Sequence, residues 1–257
     1  MISTIDFHID ELTSMKKYPN ELFYIGNIEL LKKRKVSIIG TRRPTSYTKE
    51  FTYKLASKLS KAGICIISGA AMGVDALAHQ GANSNNTIAV VANGLDIRYP
   101  SVNKNLIIDI EKNGLMLSAY KEKEKAKNYT FVLRNEIVVA LSEFLIVTQA
   151  DIDSGSLTSV NYALKMGKTV YTLPHRINES LGTQELVKKG LIKVIYDIDE
   201  FIENVCGIKN IKIEDEVLEF CKNNPSYESA ISKYPNKIFE YELEGKIKIE
   251  NGKVIVI

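Results

Sequence analysis

The 257-residue chain has only three cysteines, Cys65, Cys206 and Cys221, far apart and odd in number. No CxxC pair or histidine-flanked cluster occurs, so neither a disulfide framework nor a zinc site is supported. The thiols are expected to be reduced and mostly buried, and no metal or cofactor is expected. No apolar run reaches the roughly 20 residues that a membrane span requires. Met1–Ile9 carries Asp6 and no lysine or arginine, so the basic start of a secretory signal is missing. These absences lead to the expectation of a cytoplasmic protein with no membrane partner. A strong charge imbalance is lacking too: the net charge of +3 is too small to announce a nucleic acid by itself.

What is present is the composition of an ordinary globular protein, 45% apolar and 25% charged. The length suits one large α/β domain plus something small. Charge is unevenly placed: residues 1–210 hold 27 Lys/Arg against 22 Asp/Glu, and residues 211–257 hold 7 against 9. Between Leu31 and Arg43 stand Lys32, Lys33, Arg34, Lys35, Arg42 and Arg43, with no acid among them. Such a cluster is ordinarily a solvated face, but two of its members fall in a loop at a strand end.

Short apolar runs alternate with helical patterns. Strands are expected at Val36–Gly40, Ile64–Gly69, Thr87–Asn93, Leu115–Tyr120, Phe144–Ala150, Thr169–Pro174 and Ile192–Tyr196. The pattern over Thr48–Ala62 is helical, with Phe51, Leu55, Ala56 and Leu59 on one face. Continuously apolar strands imply helices on both faces of a parallel sheet, so the fold class is α/β, a doubly wound Rossmann-like sheet. Ligands of such sheets bind at the carboxyl ends of the strands, where the strand order reverses. Residues 1–35 are expected as a short helical or irregular lead-in, and 36–208 as the Rossmann-like domain. Residues 209–257 read as a small winged-helix-like domain. Within it, Glu214–Lys222 and the stretch around Ala230 look helical, and strands flank Asn251-Gly252 as in a hairpin.

The strand-end loops carry the chemistry. The first runs Gly40-Thr41-Arg42-Arg43-Pro44: glycine permits close backbone approach, and arginine forks onto phosphate. A surface turn with solvated arginines is the plainer alternative. GxGxxG is absent and no acid ends the second strand, which disfavours NAD. Ser68-Gly69 opens a small-residue loop leading to Asp75 and His79, a pair more suited to fixing the loop than to catalysis. Asn93-Gly94 ends the third strand. Ser154-Gly155-Ser156, after the fifth, is either an anion nest or an ordinary helix cap. Lys121–Lys127, with alternating charges, is expected as a flexible loop. It leads through Asn128 and Tyr129 to Phe131 and Arg134, which share a helix face. An aromatic beside basic residues suits stacking on single-stranded bases; a core phenylalanine is the alternative.

Taken in order, VSIIGTRRPTSYTKE, ISGAAMGVDALAHQGA, TIAVVANGLDIRYP, FVLRNEIVVALS and ADIDSGSLTSVNYALKMGKTVYTLP resemble the DprA/Smf family of DNA-processing proteins over roughly residues 18–200. The tail, with PSYESA and YELEGKIK, is similar to the Helicobacter and Campylobacter type of that family. The resemblance implies a homodimer that binds single-stranded DNA, protects it and loads the recombinase RecA during natural transformation, with no catalysis. It places phosphate gripping on Arg42 and base stacking on Phe131. Pocket-lining backbone falls on Gly40, Thr41, Ser68, Gly69, Asn93 and Gly94. The family's usual lysine is Asn128 here, with Lys127 one residue earlier, so either could face phosphate. RNR reads Arg134-Asn135-Glu136, the usual Ser-Glu is Ser118-Ala119, and Gln149 replaces an acid.

Two other functions use the same fold. One is a sensor of a small nucleotide. The other is a nucleoside-monophosphate-cleaving enzyme, whose PGGxGTxxE motif this chain lacks.

Overall fold

The structure, a computed structural model, describes residues 2–207 and 216–257. The expected boundary near residue 208 and the start of the expected helix Glu214–Lys222 lie outside the described residues. The chain forms two compact units, Met1–Cys206 and Gly207–Ile257.

The first unit carries nine strands: β1 (Ser3–Thr4), β2 (Phe23–Gly26), β3 (Lys35–Ile39), β4 (Cys65–Ser68), β5 (Thr87–Val91), β6 (Leu115–Ser118), β7 (Leu145–Val147), β8 (Val170–Thr172) and β9 (Lys193–Val194). Its helices are α1 (Ser46–Lys61), α2 (Val74–Ala82), α3 (Lys104–Asn113), α4 (Asn128–Ala140), α5 (Gly155–Lys165), α6 (Leu181–Lys188) and α7 (Ile198–Cys206). The sheet order is β1-β2-β6-β5-β4-β3-β7-β8-β9. From β6 to β9 every pairing is parallel, with Val36 opposite Ile66, Ile38 opposite Ile146 and Ile67 opposite Ile88. All seven strands expected from apolar runs are there, in the expected order.

Burial on both faces follows from alternation along each strand. Ile88, Val90, Leu115 and Leu117 share one apolar cluster with Ile137 of α4 and Val160 of α5. Their neighbours Ala89, Val91 and Met116 join Ile107 and Ile110 of α3 in another. Helices therefore cover each side, as the mainly parallel α/β class requires. On α1 the buried stripe runs through Thr48, Thr52, Leu55, Ala56 and Leu59. The expected stripe through Phe51 is thus corrected: Phe51 is only half-buried and its ring meets Tyr47 instead.

Residues 1–35 are more than a helical or irregular lead-in. β2 pairs antiparallel with β6, Tyr24 opposite Leu117, and β1 adds to β2. Leu12, Leu22 and Leu30 are buried in the same apolar cluster as β5 and β6.

The second unit contains α8 (Glu216–Cys221), α9 (Tyr227–Lys233), α10 (Pro235–Leu243) and the antiparallel pair β10 (Ile247–Glu250) and β11 (Lys253–Val256). Asn251 and Gly252 turn the hairpin with φ of 53° and 73°, the left-handed pair that a two-residue hairpin turn demands. Val217, Cys221, Ala230, Ile238, Tyr241, Ile247 and Val254 form its own core. Cys65 and Cys221 are buried and Cys206 is half-buried. Burial pushes the Cys65 thiol up to about 12.

β3 has β4 on one side and β7 on the other. The strand order reverses there, so the carboxyl ends of β3 and β7 frame the crevice where this architecture takes ligands.

Candidate functional site

The two loops leaving β3 and β7 meet at that crevice. A cleft of about 500 Å³ opens between them, lined by Gly40, Thr41, Arg42, Arg43, Phe131 and Arg134, and across from these by Ser154, Gly155 and Ser156. A small recess adjoins it, where Gly69, Asn93 and Tyr99 meet the same Arg42, Phe131 and Arg134.

Of the basic cluster between Leu31 and Arg43, four members are engaged elsewhere. Lys32 pairs with Glu29 at 2.7 Å, and Lys33 donates to the Asn86 side chain at 2.8 Å. Arg34 forks onto Glu143 at 2.6 and 2.8 Å. Lys35 is buried, with its ammonium on Glu11 and on the carbonyls of Leu31 and Lys33. In a separate cleft of about 630 Å³, Arg34 is thus engaged and Lys168 donates to the carbonyls of Val139, Ala140 and Ser142, which leaves Lys193 as the remaining lining cation. Burial brings the Lys168 ammonium down to about 8. Arg42 and Arg43 are exposed, and among the described residues no carboxylate lies within ion-pair distance of either.

The Arg42 guanidinium lies 5.5 Å from the centre of the Phe131 ring, and that of Arg134 lies 5.8 Å from it. Both are within range of cation–π attraction. Tyr99 adds a second ring at 6.4 Å. Phe131 is half-buried and belongs to neither of the two apolar clusters that flank β5 and β6, although it stands in the first turn of α4. That turn is set by Thr130, whose hydroxyl accepts from the Lys127 N–H at 2.8 Å.

Arg134, one helical turn further, is buried beneath Phe131. Its guanidinium faces Asp75 at 3.6 Å and donates to the Val90 carbonyl at 3.4 Å, while its Nε has no partner. Asp75 also accepts from the Ala71 N–H at 3.3 Å. Burial pushes the Asp75 carboxyl above its ordinary value, and Arg134 opposes that shift. Gly69 makes room for this pair: a Cβ there would sit 1.1 Å from Arg134 Nη1. Gly73, at φ +78°, similarly lets α2 begin against the Arg42 backbone, 2.7 Å from where its Cβ would be.

Other expected site residues have structural engagements. Ser68 is buried, donates to the Ile38 carbonyl at 2.6 Å and lines neither cavity. The Asn93 amide donates to the carbonyls of Gly94 and Ile97. Gly94 accommodates the Lys121 carbonyl, 2.4 Å from its would-be Cβ. Ser154 caps α5, accepting from the Ser156 N–H at 3.1 Å. Lys127 and Asn128 are exposed at the start of α4 and line neither cavity, the Lys127 ammonium lying 5.8 Å from the Tyr129 ring. The charged loop before them is tied down rather than free: Lys123 N–H donates to Asp96 at 2.9 Å and Gly94 N–H to the Glu124 carbonyl at 2.8 Å. His79 does not face Asp75 as a catalytic partner. Its Nδ1 bonds Thr87 at 2.7 Å, Nε2 has no partner, and burial brings it down to about 3.

Among the described residues no group of three or more potential metal ligands occurs, and no helix is long and apolar enough to cross a membrane. Tyr99, Asp75 and Ala71 join the cavity linings without having been singled out for that purpose. Only Asp75 carried a signal, its acid in an otherwise small-residue loop.

Residues 6–206 match the family model described as DNA recombination-mediator protein A. Protein Smf of Synechocystis is 36% identical over 180 residues, 67% of this chain and 45% of that protein. DNA processing protein DprA of Bacillus subtilis is 33% identical over 199 residues, 76% of this chain and 67% of that one. The chain thus spans about half to two thirds of the length of these relatives. Among solved structures, DNA processing protein A from Helicobacter pylori, described for its single-stranded DNA binding mode, is 40% identical. It superposes with a TM-score of 0.79 over 80% of this chain and 96% of that one.

Proposed function

The chain belongs to the DNA recombination-mediator protein A family, and from that membership we propose that it binds single-stranded DNA in the cleft between β3 and β7. One observation carries the reading: an unpaired, exposed arginine stands 5.5 Å from a half-buried aromatic ring at the switch point of the sheet. Arginine grips phosphate bidentately, and a ring beside it offers bases a stacking platform without regard to sequence. In the cell this activity protects incoming DNA and loads RecA during transformation, with the protein working as a cytoplasmic homodimer and turning over no nucleotide. The C-terminal unit is winged-helix-like in this reading and auxiliary, because its excess of acid opposes phosphate contact.

A gel-shift titration with single- and double-stranded oligonucleotides, competed by nucleoside monophosphates, tests the proposal. Preference for the single strand that mononucleotides do not relieve supports it. Full competition by a mononucleotide points to a small-nucleotide sensor instead, and product release from the competitor to an enzyme.

Arg42→Ala is expected to weaken binding uniformly across sequences and to lower the salt slope by about 0.7 for the lost contact. An unchanged affinity and slope in a folded variant removes Arg42 from the interface.

Phe131→Ala is expected to cost about 1–3 kcal/mol in binding while leaving the melting temperature nearly unchanged. A core phenylalanine behaves oppositely, costing about 3–5 kcal/mol in folding. Measuring both quantities on one variant separates the roles.

A further inference from the structure

Arg42 stands on a ridge between two depressions. On one side lies the cleft holding Phe131. On the other is a second cleft of about 480 Å³, between the start of α1 and the outer face of α2. Arg42, Arg43 and Lys49 line it together with Pro44, Leu77 and Gln80, and no carboxylate contributes. Arg43 and Lys49 are exposed, and among the described residues neither has a carboxylate within ion-pair distance. Three cations converge there with no acid to balance them.

An aromatic continues the line. Tyr53 follows Lys49 by one helical turn on α1, so the two share a face. It is 48% exposed, which leaves a ring face open to solvent. α2 reaches α1 at that level, since a Cβ on Gly81 would meet the Tyr53 carbonyl at 2.5 Å. Tyr53 is therefore next in line along α1 from Lys49, just beyond the residues that line the second cleft. From Phe131 through Arg42, Arg43 and Lys49 to Tyr53, rings stand at both ends of a run of cations.

We infer that a bound strand longer than the first cleft continues over Arg42 into this second cleft, with phosphates on Arg43 and Lys49 and a base on Tyr53. The inference rests on the single-strand reading and assigns a path to it. A run of cations with rings beside it is the recognition chemistry of an unpaired polynucleotide, whose bases are free to stack and whose backbone is tracked electrostatically. A lone mononucleotide has no need of the second cleft, because one phosphate and one base are already accommodated in the first.

The test uses the full chain and thymidine oligonucleotides of about 4 and about 16 nucleotides, the span of common single-strand site sizes. Lys49→Ala/Tyr53→Ala is expected to bind the short strand like the unsubstituted protein. It should bind the long strand about tenfold more weakly, as loss of one stacked base implies. Its salt slope on the long strand should fall by about 0.7 for the lost phosphate contact. Lys49→Ala alone, which alters only an exposed side chain, should show the slope change even if the double variant is destabilised. Equal weakening on both lengths, or none on the long strand, overturns the second cleft alone. Failure of the unsubstituted protein to bind either length overturns the single-strand reading and this path with it.

Discussion

Asp75→Ala is expected to lower folding stability by about 3–5 kcal/mol, the usual result of removing one partner from a buried ion pair. Arg134 is 5% exposed and its Nε already lacks a partner. Without Asp75 its guanidinium would keep only the 3.4 Å bond to Val90. Urea unfolding of the variant measures the loss. Asp75→Leu/Arg134→Met, which removes both charges and retains volume, should recover much of it, because the desolvation penalty goes with the pair. The single variant should also weaken strand binding, since Arg134 lies against Phe131. A loss below about 1 kcal/mol would place the pair with solvated surface bridges and count against the dry arrangement beneath Phe131.

Acid should unfold the protein partly through His79. Burial first, and the Arg134 charge second, bring its pKa in the folded chain down to about 3 from the ordinary 6.5. Between those values the unfolded chain holds a proton that the folded one does not, so stability rises with pH. The contribution is complete above about 6.5 and is lost as pH falls toward 3, at about 1.4 kcal/mol per pH unit for one proton. Asp75, raised by burial, acts in the opposite sense, so the informative quantity is a difference between proteins. Melting temperatures from pH 7 to 4 should fall more steeply for the unsubstituted protein than for His79→Gln. Parallel curves would show that His79 takes up its proton in the folded state as readily as in the unfolded one.

The parallel sheet was legible because its central strands are predominantly apolar runs, a pattern that burial on both faces imposes. β2 escaped notice for the opposite reason. Phe23–Gly26 is short and only half-buried, and it borders the sheet as an antiparallel addition whose partner β6 is remote in sequence. At the site, Arg42, Phe131 and Ser154–Ser156 were visible because residue type and loop position coincide there. The Asp75–Arg134 pair was hidden because it joins α2 to α4, two helices remote in sequence that only the folded sheet brings together. Ser68 shows the converse, and Asn93 does so only for its side chain, since the residue lines the recess as expected. A hydroxyl and an amide at strand ends resemble ligand contacts in one dimension, yet both satisfy neighbouring backbone carbonyls. The basic run from Lys32 to Arg43, on either side of β3, likewise reads as one patch, whereas folding divides it into four engaged cations and two unpaired ones.

The nine-stranded sheet tapers at both margins, ending in Ser3–Thr4 on one side and Lys193–Val194 on the other. A margin of two residues presents very few free backbone donors and acceptors, and a lysine on one of them adds charge. Brief and charged borders are how proteins avoid recruiting another chain as an additional strand. These margins therefore disfavour prolonging this sheet from one copy into the next, which leaves side chains as the means by which two copies of this unit could meet. A pair formed in that way can be separated by substituting surface residues, with every strand of each copy left intact.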